Sequence, residues 1–167
     1  RHYIYKYDPD YVEEMNTKGF DSHLDIAVLA GLLTKEQVEN HKNKTEDYSE
    51  IRQKAKVVNF SATYKVGAAT LARNGGFKLS FAKKLLDTFW KRNNAILKVE
   101  NDLEIKELNG QKWLLNPVSK FWYTLRNEKD KFSTLNQSTA VYVFDLYVKY
   151  IRKQGQKIAY QCHDEWL

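Results

Sequence analysis

Arg52, Lys56, Phe60 and Tyr64 recur at intervals of four in the run from Ser49 to Lys65. This spacing constrains the chain more than any other feature. At 3.6 residues per turn, each step of four overshoots a full turn by about 40°. On a helix spanning about residues 49 to 65, the four side chains form one slanted stripe, two cations followed by two aromatic rings. Val57 and Val58 lie off the stripe and are expected to point into the protein. Such a stripe suits a nucleotide, because the cations can hold a polyphosphate and a flat ring can cover the sugar and base.

The rest of the chain reads as mostly helical, with two or three short strands. Asp8-Pro9-Asp10 reads as a loop. Asp21-Ser22-His23 precedes an apolar run from Leu24 to Leu33, which predicts a short buried helix with His23 near its N-terminus. Thr34 and Gln37 have the spacing of a capping box, and residues 40 to 47 read as a polar loop. Asn74-Gly75-Gly76 is a strong breaker. Ser80 is expected to cap the next helix. A long amphipathic helix is predicted from Ala95 to Leu108, ended by Asn109-Gly110, with Trp113 to Leu115 as a strand. Residues 116 to 132 read as irregular. A second long helix is predicted over Leu135 to Arg152, with Gln137, Ala140, Val141, Phe144 and Val148 on one face. A strand over Lys157 to Cys162 then leads into a turn at His163-Asp164-Glu165.

The 167 residues are enough for one domain with a sizeable core. The formal net charge of +6 is compatible with a polyanionic partner. Cys162 is the one cysteine, which excludes an intrachain disulfide framework and fits a reducing, cytoplasmic compartment. Adjacent residues on a strand point to opposite faces, so Cys162 and His163 do not read as a catalytic pair. No segment approaches the roughly 18 uninterrupted apolar residues of a membrane span. The adjacent carboxylates Asp164 and Glu165 are hard-oxygen ligands suited to magnesium.

Taken in order, these residues resemble the polymerase domain of the family A DNA polymerases, the bacterial DNA polymerase I type, with a phage or viral member expected. The run Arg52 to Tyr64 is similar to motif B, the nucleotide-binding helix of the fingers. His163-Asp164-Glu165 is similar to motif C, the palm turn with a catalytic carboxylate, and a glutamine-bearing helix lies between them. The resemblance spans nearly the whole chain. It implies a mainly α fold with a small β component (α+β), with fingers over residues 1 to 110 and part of the palm over 111 to 167. The chain does not begin with Met and ends just after the acidic pair, so it reads as a piece truncated at both ends. The family's motif A aspartate would lie upstream, shortly before an arginine that Arg1 matches.

The resemblance implies template-directed DNA synthesis, in which deoxynucleoside triphosphates are added to the primer 3′ end on primed DNA. Arg52, Lys56 and His23 would contact the triphosphate, with Lys56 also placed to act as an acid toward the leaving pyrophosphate. Phe60 would lie against the sugar, a residue choice that goes with discrimination against sugars lacking a 3′-hydroxyl. Tyr64 would sit near the templating base. Gln137 would read the minor groove at the primer end, supported by Lys129 where the family has arginine, and His163 would help hold the primer. Asp164, supported by Glu165, would hold two Mg2+ ions together with the upstream aspartate, as in a two-metal clamp. Three positions depart from the family pattern: Lys65 where Gly is usual, Lys129 for Arg and Ser133 for Asn. Single-subunit RNA polymerases share the Arg, Lys and Tyr spacing but carry Met at the third stripe position and His-Asp-Ser at the turn, so Phe60 and Glu165 favour DNA. A nonenzymatic nucleic-acid-binding domain and an inactive relic are the remaining alternatives.

Overall fold

A computed structural model of the chain describes residues 1–158 together with the strand segments Gln161–Cys162 and Glu165–Trp166. The fold is mainly helical with a small antiparallel sheet. It divides into two compact units, one ending at Asn101 and the other beginning at Asp102.

The first unit is built from helices α1 (Pro9–Asn16), α2 (Ser22–Leu29), α3 (Lys35–Lys42), α4 (Ser49–Thr63), α5 (Ala68–Gly75), α6 (Leu79–Arg92) and α7 (Asn94–Asn101). The expected loop at Asp8-Pro9-Asp10 is instead the start of α1. Asp8 accepts a hydrogen bond from the Tyr11 N–H at 3.1 Å, and Pro9 occupies the first turn, where its missing N–H costs nothing. The Thr34–Gln37 capping box forms in both directions. Helix α3 then runs on to Lys42, into the stretch expected to be loop. Helix α6 starts at Leu79, with Lys78 in the N-cap position, so Ser80 does not cap it.

Helix α4 is the centre of this unit. Ala55, Val58 and Ala62 are buried along one side of it, and α2, α5 and α6 pack around it. Ala55 joins Leu24, Ala27 and Leu33 in a cluster backed by Val28, Val38 and Ile51. Arg92 ties three helices together. Its Nε donates to Asp25 at 3.0 Å, another guanidinium nitrogen pairs with Glu14, and the guanidinium lies 4.0 Å from the Tyr11 ring centroid.

The second unit contains strands β1 (Ile105–Leu108), β2 (Gln111–Leu115) and β3 (Trp122–Leu125), paired antiparallel in that order. A 3₁₀ turn at Glu128–Asp130 leads into helix α8 (Lys131–Lys153). Strands β4 (Gln161–Cys162) and β5 (Glu165–Trp166) pair antiparallel, Cys162 opposite Glu165. Leu114, Leu125, Phe132 and Leu135 supply buried apolar side chains of this unit.

Three expectations for the second half of the chain are corrected here. The predicted helix Ala95–Leu108 stops at Asn101, and Ile105–Leu108 is a strand. Asn109 (φ 52°) and Gly110 (φ 73°) form the two-residue turn that pairs Leu108 with Gln111. Asn-Gly with both φ positive is the favoured hairpin connection, so the dipeptide makes a hairpin rather than ending a helix. The stretch 116 to 132 is not irregular throughout. Asn116 anchors a turn that returns the chain as β3, donating from Nδ2 to Ser138 Oγ (2.7 Å) and Thr139 Oγ1 (2.8 Å) and accepting at Oδ1 from the N–H groups of Val118 and Ser119. Finally, α8 starts at Lys131 and buries Phe132, Leu135, Ser138 and Val148. Of the five residues expected to share one face, Gln137, Ala140 and Val141 are exposed.

Candidate functional site

The stripe sits on α4 as its spacing dictates. The buried side of the helix is fixed by Ala55, Val58 and Ala62. The drift of about 40° per step carries the stripe from the flank of that side out to solvent. Arg52 and Lys56 are accordingly half-buried, whereas Phe60 is 53% exposed and Tyr64 46% exposed. Of the two valines expected to point inward, Val58 is fully buried and Val57 half-buried.

The start of α2 lies against this stripe. Asp21 caps α2, accepting from the N–H groups of His23 (2.8 Å) and Leu24 (3.2 Å) through Oδ1. Its other oxygen accepts from Arg52 Nε at 2.7 Å. Burial works to raise the Asp21 carboxyl. The Arg52 guanidinium and the two backbone N–H groups outweigh it and hold the carboxyl below the ordinary carboxylate value. The pairing uses Nε, and Arg52 makes no hydrogen bond through Nη1 or Nη2 among the described residues.

His23 is oriented by Asn59. The Asn59 amide nitrogen donates to the Ser22 carbonyl at 3.1 Å and lies 2.8 Å from His23 Nδ1. A carbonyl oxygen only accepts, so the group facing it is the NH2, and His23 Nδ1 must accept as well. The ring is therefore neutral and carries its proton on Nε2. Burial pushes the imidazole down from its ordinary value. The Asp21 charge opposes that, and Arg52 and Lys56 reinforce it. The ring lies 6.2 Å from Phe60, centroid to centroid, and Lys56 Nζ lies 5.8 Å from the Phe60 centroid.

Arg52, Lys56, Phe60, Asn59 and His23 thus gather at the junction of two helices. A cleft of about 320 Å3 opens there, lined by Arg1, Met15, Phe20, Asp21, Ser22, His23 and Arg52. Two guanidinium groups and an Nε2–H donor give this end of the stripe the chemistry of an anion site. Tyr64 caps the C-terminus of α4, and Lys65 follows in the left-handed region at φ 52°.

Sequence reasoning missed two members of this cluster as site residues. Arg1 lines the cleft, and Asp21 fixes Arg52. The Asp-X-His pattern signals a helix cap, but nothing in the sequence announces that the second carboxylate oxygen meets an arginine 31 positions away.

The other candidates belong to the second unit or lie outside the described residues. Gln137 is exposed on α8, and Lys129 is exposed in the 3₁₀ turn before it. Ser133 donates to the Asp130 carbonyl at 3.0 Å in the first turn of α8. His163 and Asp164 lie outside the described residues, and Glu165 is described only through its backbone in β5. Among the described residues, no group of three or more His, Cys, Asp or Glu is gathered as a metal would require. No helix among them is long and apolar enough to cross a membrane.

No family model matches the chain, and no curated protein matches it.

Proposed function

We propose that the chain carries the nucleotide-binding helix and part of the palm of a template-directed DNA polymerase of family A. One observation carries this reading. His23, 29 positions before Arg52 in sequence, stands beside Asn59 and Phe60 on α4, while Arg52 and Lys56 continue the same face. A basic helix face alone is commonplace. A neutral histidine, two cations and an exposed phenylalanine in one cluster suit a triphosphate followed by a sugar.

In this reading Arg52, Lys56 and the His23 Nε2–H hold the triphosphate, and Phe60 lies under the sugar. Phe60 is more than half exposed, as a ring that packs on a ligand must be. Tyr64 stands next to the templating base, and Gln137 and Lys129 contact the primed duplex. Mg2+ would be held by Asp164 and Glu165 with an aspartate upstream of Arg1, and when bound would activate the primer hydroxyl and stabilise the charge of in-line transfer. These carboxylates are hard oxygen donors, as that ion requires.

The test is primer extension by the polypeptide that contains this segment. It compares wild type with Lys56→Ala and Asp164→Ala, in magnesium, with deoxy- or ribonucleotides. Template-directed extension with deoxynucleotides, lost in both variants, is expected. A folded wild type that binds primed DNA without extending it would leave the binding-module or relic reading. Extension with ribonucleotides alone would indicate an RNA polymerase.

A further inference from the structure

Immediately after the stripe, the chain makes a connection that the nucleotide reading does not use. Lys65 follows Tyr64 and adopts φ 52°, a left-handed conformation that a residue with a side chain enters only when its surroundings hold it there. Two hydrogen bonds close the helix around it: the Lys65 N–H donates to Ala62 and the Val66 N–H to Ser61, each at 2.8 Å. The Lys65 side chain then reaches α7. Its ammonium donates to Glu100 Oε2 at 2.5 Å and lies 5.9 Å from the centroid of the Trp90 ring on α6.

Glu100 is an unusual partner. It is 5% exposed on the last turn of α7, and its Oε1 is buried with no hydrogen-bond partner among the described residues. A carboxylate buried with half its acceptors unmet is unfavourable unless a cation offsets it. Lys65 is that cation. For stability alone, two apolar side chains would serve this place as well or better. What an ion pair adds is direction, because it fixes one end of a long side chain to one point on another helix. The other end of that side chain leaves the backbone at the residue next to Tyr64.

We infer that Lys65 and Glu100 are a positioning pair for Tyr64, setting the orientation of the last ring of the stripe by tethering the end of α4 to α7. The inference rests on the proposed function for what Tyr64 does, though not for where the pair holds it.

The experiment separates the two. The chain is labelled with 3-fluorotyrosine, and the Tyr64 fluorine resonance is assigned with Tyr64→Phe. The variants are Lys65→Gly, which suits the left-handed φ while removing the tether, Glu100→Gln, and Lys65→Arg as the conservative control. In Lys65→Gly and Glu100→Gln, the Tyr64 resonance is expected to broaden and move toward that of free tyrosine. The other tyrosines should stay in place, and Lys65→Arg should keep the wild-type position. In the extension assay, KM for the deoxynucleotide is expected to rise about fivefold in Lys65→Gly with kcat changed less.

An unmoved Tyr64 resonance in folded Lys65→Gly would overturn the inference. So would a shift shared by all the tyrosines, which marks general loosening. An unchanged KM in an active enzyme would also overturn it. If Glu100→Gln fails to fold, Lys65→Gly alone decides. If wild type extends no primer, the proposed function fails, and the fluorine spectrum still decides whether the pair positions Tyr64.

Discussion

Arg52 Nε donates to Asp21 Oδ2 at 2.7 Å, joining the first turn of the first unit's central helix to the cap of α2. The other oxygen of Asp21 holds the first turn of α2, so one carboxylate both starts a helix and orients a cation. The two tasks separate by substitution. Asp21→Asn keeps a capping oxygen and loses the charge, and is expected to cost less than about 1 kcal/mol, since Arg52 is partly exposed. Asp21→Ala loses both and is expected to cost about 2 kcal/mol. Urea denaturation of the two variants checks the order. Equal losses would mean that the cap contributes nothing.

His23 makes the first unit sensitive to acid. Burial lowers its folded pKa below the unfolded value of about 6.5. The unfolded chain therefore takes up this proton at higher pH than the folded one. Stability is unaffected at pH 8, and it falls as pH drops through 6.5 toward the folded pKa. Asp21, also lowered, adds a loss of the same sign further down, once pH falls below its unfolded value. Melting curves from pH 8 to 5 should show the wild type losing more than His23→Gln over that range. Parallel curves would show that His23 is not held neutral by its surroundings.

Phe60 offers a contrast between stability and binding. Because it is more than half exposed, Phe60→Ala is expected to change stability by less than about 0.5 kcal/mol. Leu85→Ala, at a fully buried position of α6, is expected to cost about 2–5 kcal/mol. If Phe60 packs on the sugar, its alanine variant loses nucleotide affinity while its melting temperature holds. Phe60→Tyr should weaken discrimination against sugars without a 3′-hydroxyl. A large stability loss in Phe60→Ala would make the ring a packing residue.

Asn116 is the polar centre of the second unit. It is fully buried, and both ends of its amide are satisfied, by two hydroxyls on α8 and two backbone N–H groups of its own turn. Asn116→Ala leaves the Val118 and Ser119 N–H groups without this acceptor, while the Ser138 and Thr139 hydroxyls still donate to the Leu135 carbonyl, and is expected to cost about 3 kcal/mol, read from chemical denaturation. The Asn116→Asp variant keeps the acceptor but loses the donor, and should fall between wild type and Asn116→Ala.

The stripe on α4, the Thr34 cap and the breaker at Gly75-Gly76 were legible because each is a local pattern whose physics acts within a few residues. The boundary at Asn101 was not. Ile96, Val99, Leu103 and Ile105 keep an apolar rhythm that suits a helix across the point where the chain leaves it. The signal that decides the matter, Asn109-Gly110, sits after the strand it governs and serves equally as a helix stop when read alone. Asn116 escaped because a buried asparagine is defined by partners 22 and 23 positions away. The pairing of Lys65 with Glu100 escaped for the same reason, since each residue reads as an ordinary surface charge. His23 and Phe60 were each legible singly, while their proximity depends on how α2 packs against α4.

The Asn109-Gly110 turn gives a direct test of this corrected hairpin. Gly110 sits at φ 73°, and a Cβ built there meets nothing within 4 Å. A substitution therefore meets no steric neighbour, and any loss comes from the backbone conformation. Gly110→Ala is expected to cost about 1–2 kcal/mol. Asn109 is also left-handed, at φ 52°. Asn109→Gly should accordingly be neutral or mildly favourable, and Asn109→Val should be worse than Gly110→Ala, because a β-branched side chain tolerates positive φ least. Were residues 95–108 a continuous helix ended at this dipeptide, Gly110 would be the left-handed residue just past its end. Asn109 would then need no positive φ, and Asn109→Val would be nearly silent. Denaturation of the three variants, with amide exchange at Lys106 and Leu108 to report the strand pairing, separates the two arrangements.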